Sequence, residues 1–425
     1  MKKKILVFPC GSEVALEIHR SMKFSTHFEL VGGSSVDDHG KFVFENYIAD
    51  IPFHHEGCFI PRMKEIIEEH SVDAIFPAMD AVANTLKQYE SELGCRVIGS
   101  DASTTELCSS KIKTYTKLHG RIPCPSWTTE VMQIENYPVF VKPDVGYGSR
   151  GVFFAENEDS LKTFLAKHNE TKFLFCEYLP GDEYTIDCFS NFNGELLFNG
   201  PRKRARVSNG ISVNTIEEKA HRGTFDSLAK VINESFKPRG AWFFQVKESA
   251  NGELKLLEVA ARLGGSSSYF RAKGVNFALL SAFDAFDIPV EVLVNDYGVE
   301  LDRALSSKYK LDISYDTAYI DFDDCVIINN SVNPDLIRFI FQARNKGILI
   351  VLITRHARNI KQSLESFRLA NIFDDIIHIV DKQPKSNFIN SKSAIFIDDS
   401  HAERTDVSKV HGIPVFSPDM IEMLS

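Results

Sequence analysis

Short apolar runs alternate with helical patterns at both ends of this chain. Residues 4–8 form an apolar run, and residues 14–22 then carry apolar side chains at the spacing of a helix. A second alternation begins near residue 316 and includes the almost continuous apolar run 347–353. Runs of this kind are typical of buried parallel strands joined by helices. The sequence therefore predicts an α/β protein in which parallel sheets form a large part of the core.

The length of 425 residues implies several domains, because a single hydrophobic core usually serves about 100–200 residues. The pattern of elements changes twice along the chain, near residue 105 and again near residue 315. We therefore expect a Rossmann-like domain over residues 1–105, a mixed α+β domain over residues 106–312 and a small parallel α/β domain over residues 316–425.

The charge and composition exclude several classes of protein. With 44% hydrophobic and 25% charged residues, the chain has the composition of an ordinary globular protein rather than a disordered one. Its net charge of −10 argues against a nucleic-acid or membrane-surface binder, which needs clustered Lys and Arg. The eight cysteines form no C-x-x-C pair, and the sequence shows no signal peptide or membrane-spanning run. We expect a cytoplasmic protein that binds neither nucleic acid nor membrane.

A lysine followed by a glycine-rich loop gives the first candidate binding site. Lys142 ends an apolar run, and the loop after it contains Gly146, Gly148, Ser149 and Gly151. Backbone amides of such a loop can cover phosphates while the lysine neutralises their charge. Three glycines also occur in ordinary hairpins, so this loop alone does not identify a phosphate site.

Three later segments indicate how the glycine-rich loop is to be interpreted. They are Phe173-Leu-Phe-Cys-Glu-Tyr-Leu-Pro-Gly-Asp-Glu183, Phe244-Gln-Val-Lys247 and Leu256-Leu-Glu-Val-Ala-Ala-Arg-Leu-Gly-Gly-Ser266. In this order and at these spacings, the segments resemble the ATP-grasp superfamily of carboxylate-amine ligases, including its carbamoyl-phosphate-synthase-like branch. The resemblance covers about residues 1–300. It implies that the first domain is the Rossmann-like pre-ATP-grasp domain and the second the ATP-grasp domain itself.

The resemblance implies which residues contact the nucleotide. It places Lys142 on the α-phosphate and makes residues 146–151 a flexible lid over the phosphates. Lys111 is implied as the other lysine near the nucleotide, with Lys113 as the alternative. It makes Glu177, Tyr178 and Leu179 the hinge that binds adenine. It places Glu183 on the ribose.

The same resemblance places Mg²⁺ on Gln245 and Glu258 and the transferred phosphoryl group on Arg262. The family usually reads E-x-N-x-R at this point, whereas this chain has Ala260 where the family has Asn. Magnesium needs about six oxygen ligands but readily keeps waters, so a water could stand in for the missing amide. The basic run 202–206 is either a cradle for a carboxylate or phosphate of the substrate or plain surface charge.

Two aspartates follow a short β-rich run in the last domain. Asp321 and Asp323 are two residues apart at the end of that run, so their carboxylates point to the same side. One of them could attack phosphorus while the other moves a proton. Further along, one apolar run ends at Thr354 and another ends at the pair Asp398 and Asp399.

Lys385 lies between Thr354 and Asp398 in the sequence. With these motifs in this order, the whole last domain resembles the haloacid-dehalogenase-like (HAD) phosphohydrolases. The resemblance implies that Asp321 forms an aspartyl-phosphate and that Asp323 is the general acid/base. It places Thr354 and Lys385 on the phosphoryl oxygens, with Lys382 as the alternative lysine. The connections are short where family members carry cap domains, which predicts a cap-less, open site. Magnesium is implied on Asp321, Asp323, Asp398 and Asp399.

Together the two resemblances predict a bifunctional enzyme. An ATP-dependent carboxylate-amine ligase with an acyl-phosphate intermediate would be joined to a Mg²⁺-dependent phosphatase. The expected cofactors are ATP and Mg²⁺, and the expected partners are small-molecule carboxylate, amine and phosphorylated metabolite substrates. The sequence leaves open whether the chain forms a homo-oligomer. Two alternatives remain, namely ATP-dependent phosphotransfer or carbamoyl-phosphate-like chemistry, and a nucleotide-sensing regulator in which only the phosphatase works.

Overall fold

Two compact units, Met1–Ser306 and Ser307–Ser425, make up the computed structural model of this protein. The structure describes residues 2–146, 151–168, 172–307, 309, 311–381 and 383–424. The boundary predicted near residue 105 falls inside a helix of the first unit, so the division into three domains remains a prediction.

A five-stranded sheet opens the first unit. Its elements are β1 (Lys3–Phe8), α1 (Glu13–Met22), β2 (Phe28–Gly33), a 3₁₀ turn (His39–Phe42), β3 (Asn46–Ile48), α2 (Phe59–His70), β4 (Ala74–Pro77), α3 (Asp80–Gln88), α4 (Glu90–Leu93) and β5 (Arg96–Val97). The strands lie in the order β3-β2-β1-β4-β5, and all neighbours are parallel. Ser12 caps α1, because its side chain accepts a hydrogen bond from the backbone N–H of Ala15.

The next part of the first unit contains three helices and a small antiparallel sheet. Its elements are α5 (Ala102–Ser109), α6 (Lys111–Leu118), β6 (Trp127–Thr128), a 3₁₀ turn (Val131–Gln133), β7 (Val139–Pro143), β8 (Phe153–Ala155), α7 (Glu158–Leu165) and β9 (Phe173–Glu177). The strand order is β6-β9-β7-β8. Strand β7 is paired on both sides, and this fixes the position of Lys142 near its carboxyl end.

A larger antiparallel sheet of six strands completes the first unit. Its elements are β10 (Glu183–Ser190), β11 (Leu196–Ser208), β12 (Ile211–Glu217), α8 (Arg222–Phe236), β13 (Gly240–Glu248), β14 (Leu254–Ala260), α9 (Ser268–Ala272), α10 (Phe277–Ala285) and β15 (Glu300–Asp302). The strand order is β14-β13-β10-β11-β12-β15. Ile186, Trp242 and Phe244 pack in one core cluster with Phe225 of α8. Because strand side chains alternate, Gln245 points to the opposite face of the sheet.

The second unit is built on a parallel sheet. Its elements are β16 (Thr317–Ile320), β17 (Ile327–Ile328), β18 (Ser331–Val332), α11 (Pro334–Asn345), β19 (Leu349–Thr354), α12 (Ile360–Ser366), β20 (Asp375–His378), a 3₁₀ turn (Lys385–Phe388), β21 (Ala394–Ile397), α13 (His401–His411), β22 (Val415–Phe416) and a 3₁₀ turn (Pro418–Leu424). The five main strands are parallel, in the order β20-β19-β16-β21-β22, and β17 and β18 form a separate hairpin. The carboxyl ends of β16, β19 and β21 therefore meet at one edge of the sheet.

The prediction of an α/β architecture with parallel and mixed sheets is confirmed. Among the helices that the structure describes, none is long and apolar enough to cross a membrane.

Candidate functional sites

A cleft in the first unit brings together most residues of the predicted ATP site. It contains about 1000 Å³ of non-protein space, part of it open to solvent, and residues of both antiparallel sheets line it. Gly148 and Ser149 lie outside the described residues. Gly151 has a positive φ of 72° and packs near Pro143, which also lines the cleft. The predicted site residues that line the cleft are Lys111, Lys142, Gly146, Glu177, Tyr178, Leu179, Glu183, Gln245 and Glu258.

The buried Lys142 is held by a tyrosine that the sequence analysis did not identify. Its Nζ donates a hydrogen bond of 2.6 Å to the hydroxyl oxygen of Tyr115, whose O–H donates to the backbone oxygen of Leu257 at 2.8 Å. Burial raises the pKa of Tyr115 well above its usual range, so the phenol is neutral and can make both bonds. Tyr115 therefore ties the lysine on β7 to β14, which carries Glu258.

The two lysines considered for the second nucleotide contact lie in different places. Lys111 lines the cleft, and its Nζ lies 3.4 Å from the backbone oxygens of both Asp144 and Gly146. Burial lowers the pKa of Lys111, and the nearby Glu258 carboxylate opposes part of this shift. Lys113 is exposed and pairs with Glu106 instead. The geometry therefore favours Lys111 over Lys113 as a cleft residue.

The hinge carboxylate of Glu177 already has partners. It accepts hydrogen bonds from Lys255 Nζ at 2.6 Å and from Ser126 Oγ at 2.7 Å. Burial by itself would raise the pKa of Glu177, but these bonds outweigh that effect and lower it. The Glu177 side chain thus stabilises the fold through these bonds. Residues 177–179 all line the cleft.

The basic run 202–206 divides among three environments. Arg202 is buried and pairs with Asp187 at 2.6 Å, whereas Arg206 is exposed and pairs with Asp302. Arg204 lines the cleft and donates to Glu183 at 2.5 Å, while its buried Nε has no hydrogen-bond partner among the described residues. The sequence could not separate these three arginines, because the irregular register of β11 against β12 decides which of them faces the cleft.

The predicted metal ligands of the first unit face each other. Gln245 on β13 and Glu258 on β14 are direct partners in the antiparallel register, and both line the cleft. The Glu258 carboxylate makes no hydrogen bond or ion pair with any other residue that the structure describes. The charges of Lys111, Lys142 and Arg204 all act on its carboxylate. One carboxylate and one amide oxygen suit a magnesium ion that also keeps waters and phosphate oxygens.

The next pair on the same face of these strands carries no oxygen ligand. Ala260 lies opposite Phe243, and both are buried. Arg262 does not line the cleft but lies with its guanidinium carbon 5.3 Å from the ring centre of Phe243, and its Nε donates to Asp80 at 2.8 Å. The structure thus leaves Arg262 outside the group of residues that line the nucleotide cleft.

The second unit brings four predicted residues to the carboxyl edge of its parallel sheet. Asp321 follows β16, Thr354 ends β19 and Asp398 follows β21, and all three are buried. Lys385 lies between the acids, with its Nζ 2.8 Å from Asp321 Oδ1 and 2.6 Å from Asp398 Oδ2. The alternative, Lys382, lies outside the described residues.

Burial of Asp321 changes its acidity. Desolvation raises the pKa of its carboxyl to about 6, although the nearby Lys385 lowers it, and the Asp398 carboxylate adds to the rise. The same two opposing causes, burial and Lys385, leave the pKa of Asp398 raised. The single ammonium of Lys385 cannot neutralise both buried acids, Asp321 and Asp398. The edge of the sheet therefore favours binding of an additional cation.

Asp323 pairs with a histidine whose position the sequence did not predict. Both of its carboxylate oxygens lie 3.0 Å from His356 Nδ1, and His356 Nε2 lies 2.8 Å from Ser363 Oγ. The exposed Asp399 follows Asp398 at the same edge. Nothing in the sequence marks His356, because the register of β16 against β19 brings it to Asp323 from 33 residues away.

Comparison with known proteins bears on the first unit. Residues 169–300 match the protein family described as "ATP-grasp in the biosynthetic pathway with Ter operon". The D-alanine–D-alanine ligase of Thermotoga maritima is 29% identical over 147 residues, which are 32% of this chain and 48% of the ligase. The ligase of Thermotoga sp. (strain RQ2) gives the same values. This chain thus matches about half the length of these relatives.

Solved structures resemble the chain over a longer stretch. The biotin carboxylase domain of Hydrogenobacter thermophilus 2-oxoglutarate carboxylase, in complex with MgADP, ADP and bicarbonate, has a TM-score of 0.58 at 17% identity, covering 68% of this chain and 71% of that one. N5-carboxyaminoimidazole synthetase from Staphylococcus aureus, in complex with ADP, has a TM-score of 0.57 at 14% identity, covering 69% and 81%. The predicted ATP-grasp fold is therefore confirmed, and the ligands of these neighbours agree with the predicted cofactors, ATP and Mg²⁺.

Proposed function

We propose that the first unit is an ATP-dependent carboxylate-amine ligase. The observation that carries this proposal is the pair Gln245 and Glu258, which lies in one cleft with Lys111 and Lys142. Two cationic side chains and a carboxylate that has no side-chain partner among the described residues suit a nucleotide that brings its own magnesium. The partial similarity to D-alanine–D-alanine ligases supports the same reaction class.

In this proposal the carboxylate substrate attacks the γ-phosphorus of ATP, and the bond to ADP breaks as an acyl phosphate forms. The amine then attacks the acyl carbon, loses a proton and releases inorganic phosphate. Lys111 and Lys142 neutralise phosphate oxygens, and each such charge-assisted contact contributes about 1.5–3 kcal/mol. The Nε of Arg204, which has no hydrogen-bond partner among the described residues, would donate to an oxygen of the acid or of the phosphoryl group. Magnesium held by Glu258 and Gln245 supplies further neutralisation when it is bound.

Phosphate release from ATP tests this proposal. The purified chain is incubated with Mg²⁺ and ATP, and acids and amines are added singly and in pairs, with D-alanine as the first pair. We expect release to depend on both components. ATP binding without any turnover across the whole panel would instead favour a nucleotide-sensing role, which the missing oxygen at Ala260 also favours.

For the second unit we propose a Mg²⁺-dependent phosphohydrolase. Its support is the position of Lys385 between Asp321 and Asp398 at the carboxyl edge of a parallel sheet. Asp321 would attack the phosphorus of a phosphate ester, the alcohol would leave with a proton from Asp323, and water would then cleave the aspartyl-phosphate. Thr354 and Lys385 would hold the phosphoryl oxygens. Hydrolysis of p-nitrophenyl phosphate in the presence of Mg²⁺, and its absence with EDTA, tests this activity.

A further inference from the structure

A second cavity in the first unit shares no lining residue with the nucleotide cleft. It contains about 630 Å³ of non-protein space, part of it open to solvent. Phe198 and Phe270 give it an apolar wall, with their ring centres 5.2 Å apart, and Val294 also lines it. The ion pair of Lys273 and Glu217, 3.0 Å apart, is among its charged lining groups. A cavity with an apolar wall and a few polar groups suits a small organic molecule.

Tyr269 lines this second cavity, and its hydroxyl has no hydrogen-bond partner among the described residues. The residue is only 1% exposed. Burial raises the pKa of Tyr269 to about 12, and the nearby Glu217 carboxylate adds to the rise. The phenol therefore keeps its proton at neutral pH and can donate it. Because a buried hydroxyl without a partner is costly, an acceptor atom of a ligand would be stabilised here.

Arg202 provides a second buried donor near Tyr269. It is 2% exposed, and Asp187 pairs with its Nε at 2.6 Å, but in the described part of the chain nothing accepts a hydrogen bond from its Nη1. The charge of Arg202 acts on Tyr269, so the two side chains are close together. A guanidinium can only donate. Two buried donors without an acceptor favour a ligand that carries an oxyanion.

The strand registers place these donors on the same face of the sheet as the proposed magnesium ligands. Successive partners across the strands from β12 to β14 are Glu217, Arg202, Thr185, Gln245 and Glu258, so their side chains share one face. Neighbouring strands lie about 4.8 Å apart, so the backbones of Arg202 and Gln245 are separated by about 10 Å. A ligand oxyanion at Arg202 would therefore lie on the side of the sheet where Gln245 and Glu258 line the nucleotide cleft.

We propose that the second cavity binds a small carboxylic acid with an apolar aryl or alkyl body. The carboxylate accepts hydrogen bonds from the Tyr269 hydroxyl and from Arg202 Nη1, and the apolar body packs against Phe198 and Phe270. This binding requires no nucleotide. That the bound acid is the carboxylate which ATP phosphorylates rests on the proposed ligase function.

Phenylacetate is a suitable probe of the second cavity. Its binding to the full-length protein is measured by calorimetry without ATP, beside that of phenylacetamide, which has the same shape but no charge. We expect phenylacetate to bind saturably and the amide to bind about tenfold more weakly or not at all, because a hydrogen bond to a charged group is stronger than one to a neutral group. Tyr269→Phe should weaken phenylacetate binding about tenfold through loss of one such bond.

Tyr184→Phe is the matched control for Tyr269→Phe. Tyr184 is also buried, but its hydroxyl donates to Glu248 at 2.8 Å and the residue does not line the second cavity, so phenylacetate binding should be unchanged. Thermal unfolding separates a binding defect from a folding defect. Because the Tyr269 hydroxyl has no partner, Tyr269→Phe should unfold at no lower temperature than the wild type. Phenylacetate should raise the unfolding temperature of the wild type more than that of Tyr269→Phe.

Several results would overturn the proposal. They are the absence of phenylacetate binding at millimolar concentration, equal binding of phenylacetamide, unchanged affinity in Tyr269→Phe, and a lower unfolding temperature of that variant. Tighter binding of inorganic phosphate than of phenylacetate, lost in Tyr269→Phe, would assign the cavity to a phosphate instead. Phenylacetate binding without any acid-dependent release of phosphate from ATP would count only against the ligase function, because the binding does not require turnover.

Discussion

The Glu258 side chain on β14 and the Gln245 side chain on β13 lie directly opposite each other and line the same cleft. The next pair on the same face of these strands, Ala260 and Phe243, offers no side-chain oxygen. In the proposed magnesium site, these two strands would therefore offer the ion a single charged ligand, Glu258. The positive charge of Lys111 attracts the Glu258 carboxylate. Without any metal, Lys111 therefore already offsets part of the negative charge of Glu258.

Removing the single carboxylate should have a large effect. We expect Glu258→Gln to weaken Mg²⁺-dependent ATP binding about tenfold or more, because only neutral oxygens remain for the ion. Glu253→Gln, an exposed change just before the same strand, should leave binding unchanged. Calorimetric titration with ATP, with and without Mg²⁺, measures both variants. Equal loss without magnesium would show that Glu258 acts on the fold instead.

Lys142→Ala should weaken ATP binding and leave phosphatase activity unchanged. The expected loss is about 1.5–3 kcal/mol, the usual contribution of a charge-assisted contact. Lys113→Ala is the matched control, since Lys113 pairs with Glu106 on the surface. Nucleotide affinity is measured for both variants by calorimetry. An unchanged affinity in Lys142→Ala would remove this lysine from the nucleotide site.

Asp321→Asn should abolish phosphatase activity, because an amide cannot form the aspartyl-phosphate. Asp324→Asn is a suitable control, since this exposed residue has a φ of 55°, a conformation that Asn readily adopts. Hydrolysis of p-nitrophenyl phosphate and ATP binding are measured in parallel. Loss of both properties in Asp321→Asn would contradict two separate sites.

The acidity of Asp321 gives a prediction for the metal-free protein. Burial raises the pKa of this carboxyl to about 6, so it should be protonated below that pH and ionised above it. A cation next to the carboxylate favours the ionised form, and Mg²⁺ should therefore move the titration to lower pH. Carbon-13 NMR of labelled aspartate, with Asp321→Asn for assignment, follows this titration. A midpoint near 4 without metal would show that Lys385 outweighs the burial.

The sequence predicted the parts of the fold that depend on local pattern. The apolar runs at residues 4–8 and 347–353 correspond to β1 and β19, and the apolar spacing at residues 14–22 corresponds to α1. Lys142 and Glu258 could be named because the order and spacing of the motifs resemble those of the ATP-grasp superfamily, a likeness that requires no knowledge of packing.

Contacts between distant segments could not be predicted in the same way. Tyr115 reaches Lys142 across 27 residues, and His356 reaches Asp323 across 33. Neither partner has a local signature, since a tyrosine in a helix and a histidine after a strand are common on their own. The packing of helix α6 brings Tyr115 to Lys142, and the register of β16 against β19 brings His356 to Asp323. Both are fixed by packing of the whole unit rather than by local sequence.

Ala260→Asn should raise the magnesium affinity of the first unit modestly. The change restores an oxygen two residues after Glu258, on the same face of β14, where one neutral ligand replaces a water that Mg²⁺ would otherwise keep. Ala260→Leu is the matched control, because leucine has a similar size and shape but no oxygen, and it should not improve binding. A magnesium titration of ATP turnover in all three proteins measures the effect. If Ala260→Asn binds Mg²⁺ no better and the wild type turns over no ATP at any Mg²⁺ concentration, the ligase proposal gives way to nucleotide sensing.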